Sequence, residues 1–271
     1  MQTIRSLVRA VVVAALILLA ACSAPTRTSN PGDAQLRIER VDKEFDLARD
    51  VTRVAIDNPW GEINIRARDE REVGIHAVIQ RMPPHYAGAK FRSRREGATL
   101  RIEVDLDGAA PTQGRVDIAV YLPNDLALAL TTRSGRISAK RRSGPLEATT
   151  ESGQLLASSR DRLLLHSVSG EIRATAIGKS WQGDSEIATD SGRIVLMVPT
   201  FGDIALDAET GGHLGTDFGL SVDEVVGGRH RAAAHFGQST SSLRVRSRTG
   251  ELVLEQLVLM GEDTPNPGDD D

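Results

Sequence analysis

Four carboxylates are the side chains whose types and spacing come nearest to a site: Glu186, Asp190, Asp207 and Glu209. Asp190 and Glu209 stand at the same offset, two residues before a recurring glycine. On stacked strands about 4.8 Å apart they would be neighbours. Asp207 shares the outward face of Glu209, and Glu186 lies close by. Oxygen ligands grouped in this way suit Ca²⁺, and two carboxyls so placed could also serve glycoside cleavage. A solvated acidic face is the plainer reading, so the expectation is no metal and no cofactor. Of the six histidines, His76, His85, His166, His213, His230 and His235, no pair has the i, i+4 spacing of a helical zinc motif. His230 and His235 share one irregular segment and could meet His213. There is no Gly-x-Ser-x-Gly elbow and no phosphate-binding P-loop. The chain is therefore not expected to be an enzyme.

The one residue with a definite chemical assignment is Cys22. It follows a short cationic head (Arg5, Arg9) and an unbroken apolar run, Ala10 to Ala21. Twelve helical residues reach about 18 Å, too short for a hydrocarbon core of about 30 Å. Residues 1–21 read as a secretory signal. Leu19-Ala20-Ala21-Cys22 resembles the lipobox of bacterial lipoproteins, and that resemblance implies cleavage before Cys22 and diacylglycerol on its thiol. Several acyl chains hold a protein on a membrane where one would be marginal. Ser23 stands where an Asp often marks inner-membrane retention, which favours the outer membrane if the cell is Gram-negative. Cys22 is also the sole cysteine, so a disulfide or a Cys-based metal site is excluded.

Loss of Arg5 and Arg9 with the leader takes the formal net charge from −4 to −6. Five acids, Glu262, Asp263, Asp269, Asp270 and Asp271, lie in the last eleven residues, and the body between is nearly neutral. No basic patch argues for nucleic acid. Aromatic content of 3% argues against a sugar groove lined with stacked rings. Residues 22–35 are polar and broken by proline, a flexible tether. Residues 261–271 read as a disordered acidic tail.

What must position any outward group is a repeat. Ser134-Gly135-Arg136-Ile137 recurs as Ser/Thr-Gly-x-Ile/Leu at Ser152, Ser169, Ser191, Thr210 (with one extra residue before Leu214) and Thr249, with glycines 18, 17, 22, 19 and 39 residues apart. Seven residues before each glycine stand Leu128, Leu146, Leu163, Ser185, Ile204 and Leu243. Three before it stand Thr132, Thr150, Ser167, Thr189, Ala208 and Ser247. An upstream copy, Val54 to Ile65 around Gly61, fits the same frame. Columns two apart are the period of a strand. The glycine marks a corner, where freedom to adopt positive φ is useful. Each unit has an apolar face too small for a core of its own, so units must stack. The expected fold is all-β: a single-domain, right-handed parallel β-helix or solenoid-like stack over residues 36–260, with Ser/Thr-Gly corners. An antiparallel sandwich is the alternative. Phe218 to Ser242 is the least regular stretch, an insertion or a distorted turn.

Residues 40–258 resemble the bacterial putative-adhesin β-strand-repeat family, related to the head-GIN domain. Ile56-Asp57-Asn58-Pro59-Trp60-Gly61-Glu62-Ile63, Val120-Tyr121-Leu122-Pro123-Asn124-Asp125 and the repeated Ser-Gly-x-Ile carry the likeness. It implies a β-helical cell-envelope protein and supplies no catalytic residues. The expected function is a non-enzymatic, lipid-anchored envelope protein, with an adhesin-like surface that meets a cell-surface protein or polysaccharide. Its place would be the periplasmic or outward face of the outer membrane. A lipoprotein that senses envelope stress and a β-helical glycan-active enzyme are the alternatives.

Overall fold

The computed structural model describes residues 36–82, 88–106 and 114–258. The leader 1–21, Cys22, the tether 22–35, His85 and the tail 261–271 lie outside the described residues. Every regular element described is a strand. The first seven are β1 (Arg37–Asp46), β2 (Arg53–Asp57), β3 (Ile63–Ala67), β4 (Glu72–Arg81), β5 (Lys90–Glu96), β6 (Thr99–Asp105) and β7 (Gly114–Leu122). The regular array runs through β8 (Ala127–Thr132), β9 (Ile137–Arg142), β10 (Leu146–Thr150), β11 (Leu155–Ser159), β12 (Leu163–Ser167), β13 (Ile172–Ala176), β14 (Asp184–Thr189) and β15 (Ile194–Val198). Then come β16 (Ile204–Thr210), β17 (Leu214–Thr216), β18 (Asp223–Val225), β19 (Arg229–His235), β20 (Ser241–Ser247) and β21 (Leu252–Gln256).

The strands form two mixed sheets. Sheet A has the order β1-β4-β7-β3-β9-β11-β13-β15-β21-β17, and sheet B has β18-β19-β16-β20-β14-β12-β10-β8-β2-β6-β5. From β8 to β15 the chain alternates between sheets, and each strand from β10 on pairs in parallel with the one two places before it. Register puts like on like: Leu128, Leu146 and Leu163 align in sheet B, as do Ile137, Leu155, Ile172 and Ile194 in sheet A. All seven are buried between the sheets. Alternation of side chains across each strand makes this one continuous core.

Coil order departs from sequence order at both ends. The coil β20/β21 lies between β14/β15 and β16/β17. The coil β2/β3 lies against β8/β9, with β6/β7 outside it. The expected wholly parallel stack is thus parallel mainly inside. Three of its four sheet ends are antiparallel, with β1, β4 and β7 at one edge, β5 on β6, and β18-β19 on β16, while β17 closes sheet A in parallel with β21. Phe218 to Ser242 is the excursion that carries the β18–β19 hairpin and returns into the stack. Antiparallel strands at the ends limit the open parallel edges that could recruit another chain.

The corner hydroxyls and glycines hold successive coils together. Thr150, Ser167, Thr189 and Ser247 each accept the backbone N–H of the glycine three residues on, at 2.9, 2.8, 3.0 and 2.8 Å. Thr150 also donates to the Arg133 carbonyl and Thr189 to that of Val168, both at 3.4 Å. Asn58 fills this column in the first coil and donates to the Val116 carbonyl at 2.7 Å. The glycines are required for a different reason from the one expected. Among the stacked corner glycines, only Gly61 has positive φ. A Cβ on Gly135, Gly153, Gly170, Gly192 or Gly250 would lie 1.7 to 2.1 Å from the carbonyl oxygen of the glycine in the adjoining coil. Backbone packs directly on backbone there, and no side chain fits.

The opposite corner has its own stitch. A bulge near the end of β9 holds Arg141 at φ 56° and turns Arg142 into the interior. Buried Arg142 donates from Nη2 to the carbonyls of Pro123 and Leu126 at 2.8 and 3.1 Å. Burial lowers its pKa to about 10, opposed by the charge of Asp125.

Candidate functional site on the outer face of sheet B

In-register stacking also orders the side chains that point outward. On sheet B, Ala55, Ala129, Glu147, Leu164 and Glu186 form one outward row. Asp57, Thr131, Thr149, His166 and Ala188 form the next. Two open troughs lie over these rows. One, of about 420 Å³, is lined by Arg53, Asp57, Glu96, Arg101, Thr131 and Glu147 over Ala55 and Ala129. The other, of about 310 Å³, is lined by Glu147, Thr149, Leu164, His166, Glu186 and Ala188. Glu147 borders both, so the two adjoin along the stack. Alanines leave the depth, and the longer neighbours supply the walls.

The charges are mostly matched. Arg53 pairs with Glu147, Arg101 with Glu96 at 3.3 Å, and Arg94 with Glu103 at 3.1 Å. Asp57 is the exception. Cross-strand pairing sets it directly opposite Glu103, and like charges in that position repel. Its pKa is raised, first by burial and then by the charge of Glu103, with Arg101 and Arg133 offsetting part. A folded-state pKa above the unfolded one favours the protonated group, so its stabilisation is present at low pH and is lost as pH rises through the folded pKa. Asp57→Asn is therefore expected to melt above the wild type at pH 7, with the gain shrinking as pH falls through the raised folded pKa and gone below the ordinary carboxylate value. Thermal melts at several pH values read this directly. A variant that melts lower at pH 7 would mean that the charge of Asp57 stabilises the fold.

The acidic cluster expected from the repeat does not assemble. Strand β20 lies between β14 and β16 and brings three arginines with it. Arg244 separates Glu186 from Asp207 in the same row. Arg246 reaches Asp207 at 2.5 Å and Glu209 at 3.9 Å, and Arg248 reaches Asp190 at 3.9 Å. Arg231 and Arg229 close on Asp207 and Glu209 from β19, at 2.8 and 2.5 Å. Burial opposes ionisation of Asp207, but its bonds to Arg246 and Arg231 prevail and hold its pKa below the usual value. The corner in this coil is also one residue shorter than in its neighbour. Leu206, not Ile204, aligns with Leu243, and Thr210, not Ala208, with Ser247. Glu209 consequently shares a row with Ala188, while Asp190 belongs to the corner.

The histidines have separate partners. His230 Nδ1 lies 2.9 Å from the Gly212 carbonyl, and His235 Nδ1 lies 3.3 Å from Ser239 Oγ. His76 pairs with Asp42 at 2.5 Å on sheet A, edge-on to Tyr121. Among the described residues, no three His, Cys, Asp or Glu side chains converge to hold a metal ion. Sequence reasoning missed the sheet B troughs, because Asp57 meets Glu103 through pairing of β2 with β6, forty-odd residues apart. The only advance signal was the small outward residues Ala55, Ala129 and Ala188. Chemically, the troughs offer hydroxyls, carboxylates and one imidazole at strand spacing along an open floor. That suits hydrogen bonding to an extended polar chain.

No protein-family model and no curated protein matches the sequence. Three solved structures resemble the fold at low identity. A "putative cell adhesion protein" from Clostridium sporogenes is 12% identical, with TM-score 0.48, covering 82% of this chain and all of its own. A "putative adhesin" from Bacteroides fragilis is 9% identical, with TM-score 0.33, over 81% of this chain and 97% of its own. One from Parabacteroides distasonis is 8% identical, with TM-score 0.22, over 83% and 98%.

Proposed function

We propose that the protein is a lipid-anchored, non-enzymatic scaffold of the cell envelope, and that its sheet B troughs bind an extended envelope polysaccharide. The observation that carries this reading is that the two troughs adjoin at Glu147 on a floor of in-register strands. A ligand lying along the stack would meet a similar set of donors and acceptors every 4.8 Å or so. Such a surface suits a repeating polymer better than a compact substrate. The finer fold belongs to the same reading: the inner coils form a β-solenoid, right-handed as parallel crossovers generally are. The anchor is Cys22, and residues 23–35 link it to the domain.

Two measurements test the reading. Metabolic labelling with an alkyne fatty acid should tag the wild type and leave Cys22→Ser unlabelled and released from membranes. Purified domain should co-sediment with cell-wall or capsular polysaccharide, and Thr149→Trp, which fills the second trough, should weaken that binding by about tenfold or more. Binding that survives Thr149→Trp and a second block at Thr131 would remove the troughs from the proposal.

A further inference from the structure

We infer that the free end of the β1–β4 ribbon is a membrane-contact surface that lays this end of the domain on the bilayer holding its anchor. The inference rests on the lipid-anchor reading of Cys22. The evidence is a reversal of polarity along two paired strands. At Val41 and Phe45 the ribbon obeys the usual rule: these residues pack against the core, while Asp42 and Glu44 alternate with them on the outward face. Toward its end the rule inverts. Arg37, Glu39 and Arg81 occupy the inward positions, and Arg81 pairs with Glu39 at 2.6 Å. Leu36, Ile38 and Met82 take the outward ones, 43, 56 and 45% exposed.

The register is continuous through this change, with Arg37 opposite Arg81 and Ile38 opposite Gln80. One further step places Leu36 opposite Met82, so three apolar side chains form one outward cluster. No slip of the strand accounts for them. They face away from the core, so a partner outside the sheet must account for the inversion. Arg40 follows Ile38 on the same face, and Arg115 lies in the row of Ile38 beyond Gln80, ion-paired with Asp117 at 2.6 Å and with Glu62 at 3.4 Å. Aliphatic groups bordered by guanidiniums suit a lipid interface, where the apolar part enters and the cation stays at the headgroups.

Chain length selects the bilayer as the occupant. Leu36 lies fourteen positions after Cys22, a stretch that fully extended reaches about 50 Å at most. An anchored Cys22 therefore keeps this cluster within about 50 Å of the bilayer. The other strongly exposed apolar residues, such as Val226 at 96%, sit far along the chain. Tethering raises the local concentration of lipid at the cluster, so a weak interface suffices.

Site-specific photo-cross-linking tests the contact. Ile38→p-benzoylphenylalanine and, as a control, Val226→p-benzoylphenylalanine are placed in the full mature chain. The protein is held on phosphatidylethanolamine–phosphatidylglycerol vesicles through its native lipid, or through Cys22 coupled to a maleimide lipid. Lipid adducts are expected to be about fivefold more abundant at position 38 than at 226, and Leu36→Glu with Met82→Glu should bring position 38 down to the control level. Equal yields at both positions, or protein dimers in place of lipid adducts at 38, would overturn the inference. The maleimide tether reads the surface even if mass spectrometry shows native Cys22 unmodified, so the two readings can fail separately.

Discussion

Gly153→Ala is expected to abolish cooperative folding. A Cβ at this position would lie 1.7 Å from the Gly135 carbonyl oxygen and 2.6 Å from its carbon. Both atoms are backbone, locked by the flanking parallel pairs of β9 with β11 and β8 with β10. Relief requires the coils to part by more than 1 Å at the corner, which would break the Thr150 hydroxyl bond to the Arg133 carbonyl and the ladder bonds beside it. The neighbouring coil offers no room, since Gly170 is packed equally closely on Gly153. The cost should exceed about 4 kcal/mol, the range that marks loss of an essential packing feature. Gly97→Ala is the control. Gly97 has positive φ (59°), yet nothing lies within 4 Å of its absent Cβ, so only the backbone cost of about 1 kcal/mol applies. Denaturant melts followed by circular dichroism should show Gly97→Ala slightly destabilised and Gly153→Ala without a native baseline. A Gly153→Ala protein as stable as the control variant would refute the stacking account.

Removal of residues 238–271 should unfold more than the segment removed. If coils followed sequence order, the loss of β20 and β21 would trim an end and leave β16 resting on β14. The structure places β20 between them, and β21 between β15 and β17. Leu243, Val245, Leu252 and Leu254 are each at most 1% exposed, and they form an interior layer. Without it, β16, β17 and the β18–β19 hairpin lose their attachment. Fully buried aliphatic side chains contribute roughly 1.5 to 3 kcal/mol each, so this layer exceeds what a marginally stable domain can forgo. Hydrogen exchange on the truncated chain should find residues 204–236 exchanging as unstructured peptide, while β8 to β13 keep measurable protection. Protected amides in 204–236 would show that β16 can re-pair with β14 and that the inserted order is not required.

The two expectations differ in how far the sequence foretold them. Columns of apolar residues around Ser/Thr-Gly corners were legible, as was the membership of the remote copy around Gly61, because a strand writes its face into every second residue. The buried hydroxyl ladder was legible for the same reason. The role of the corner glycines was not, since a residue chosen for positive φ and one chosen for backbone contact look the same in sequence. The acidic cluster failed on two counts that no local pattern reports. One residue fewer at the Thr210 corner shifts Glu209 out of the row assumed for it. A strand from forty residues downstream then places Arg244, Arg246 and Arg248 among the acids. The Asp57–Glu103 pair was invisible for the converse reason, as pairing of β2 with β6 creates it.

The sequence by itself determined the class of structure: short strands, a period of about one coil, a core built from like residues in register, and Cys22 as the only thiol. These follow from near-neighbour chemistry, in which alternation, turn residues and stacking columns act over a few positions. Tertiary structure alone decided which coil lies against which, and with it every surface with a candidate role. Coils of one repeat present nearly equivalent edges, so backbone hydrogen bonding scarcely distinguishes sequence order from insertion. The choice falls to the end strands and to side chains that meet only after folding: arginines of β20 among the acids of β14 and β16, alanines that open the sheet B troughs, and a ribbon whose apolar face turns outward at Leu36, Ile38 and Met82.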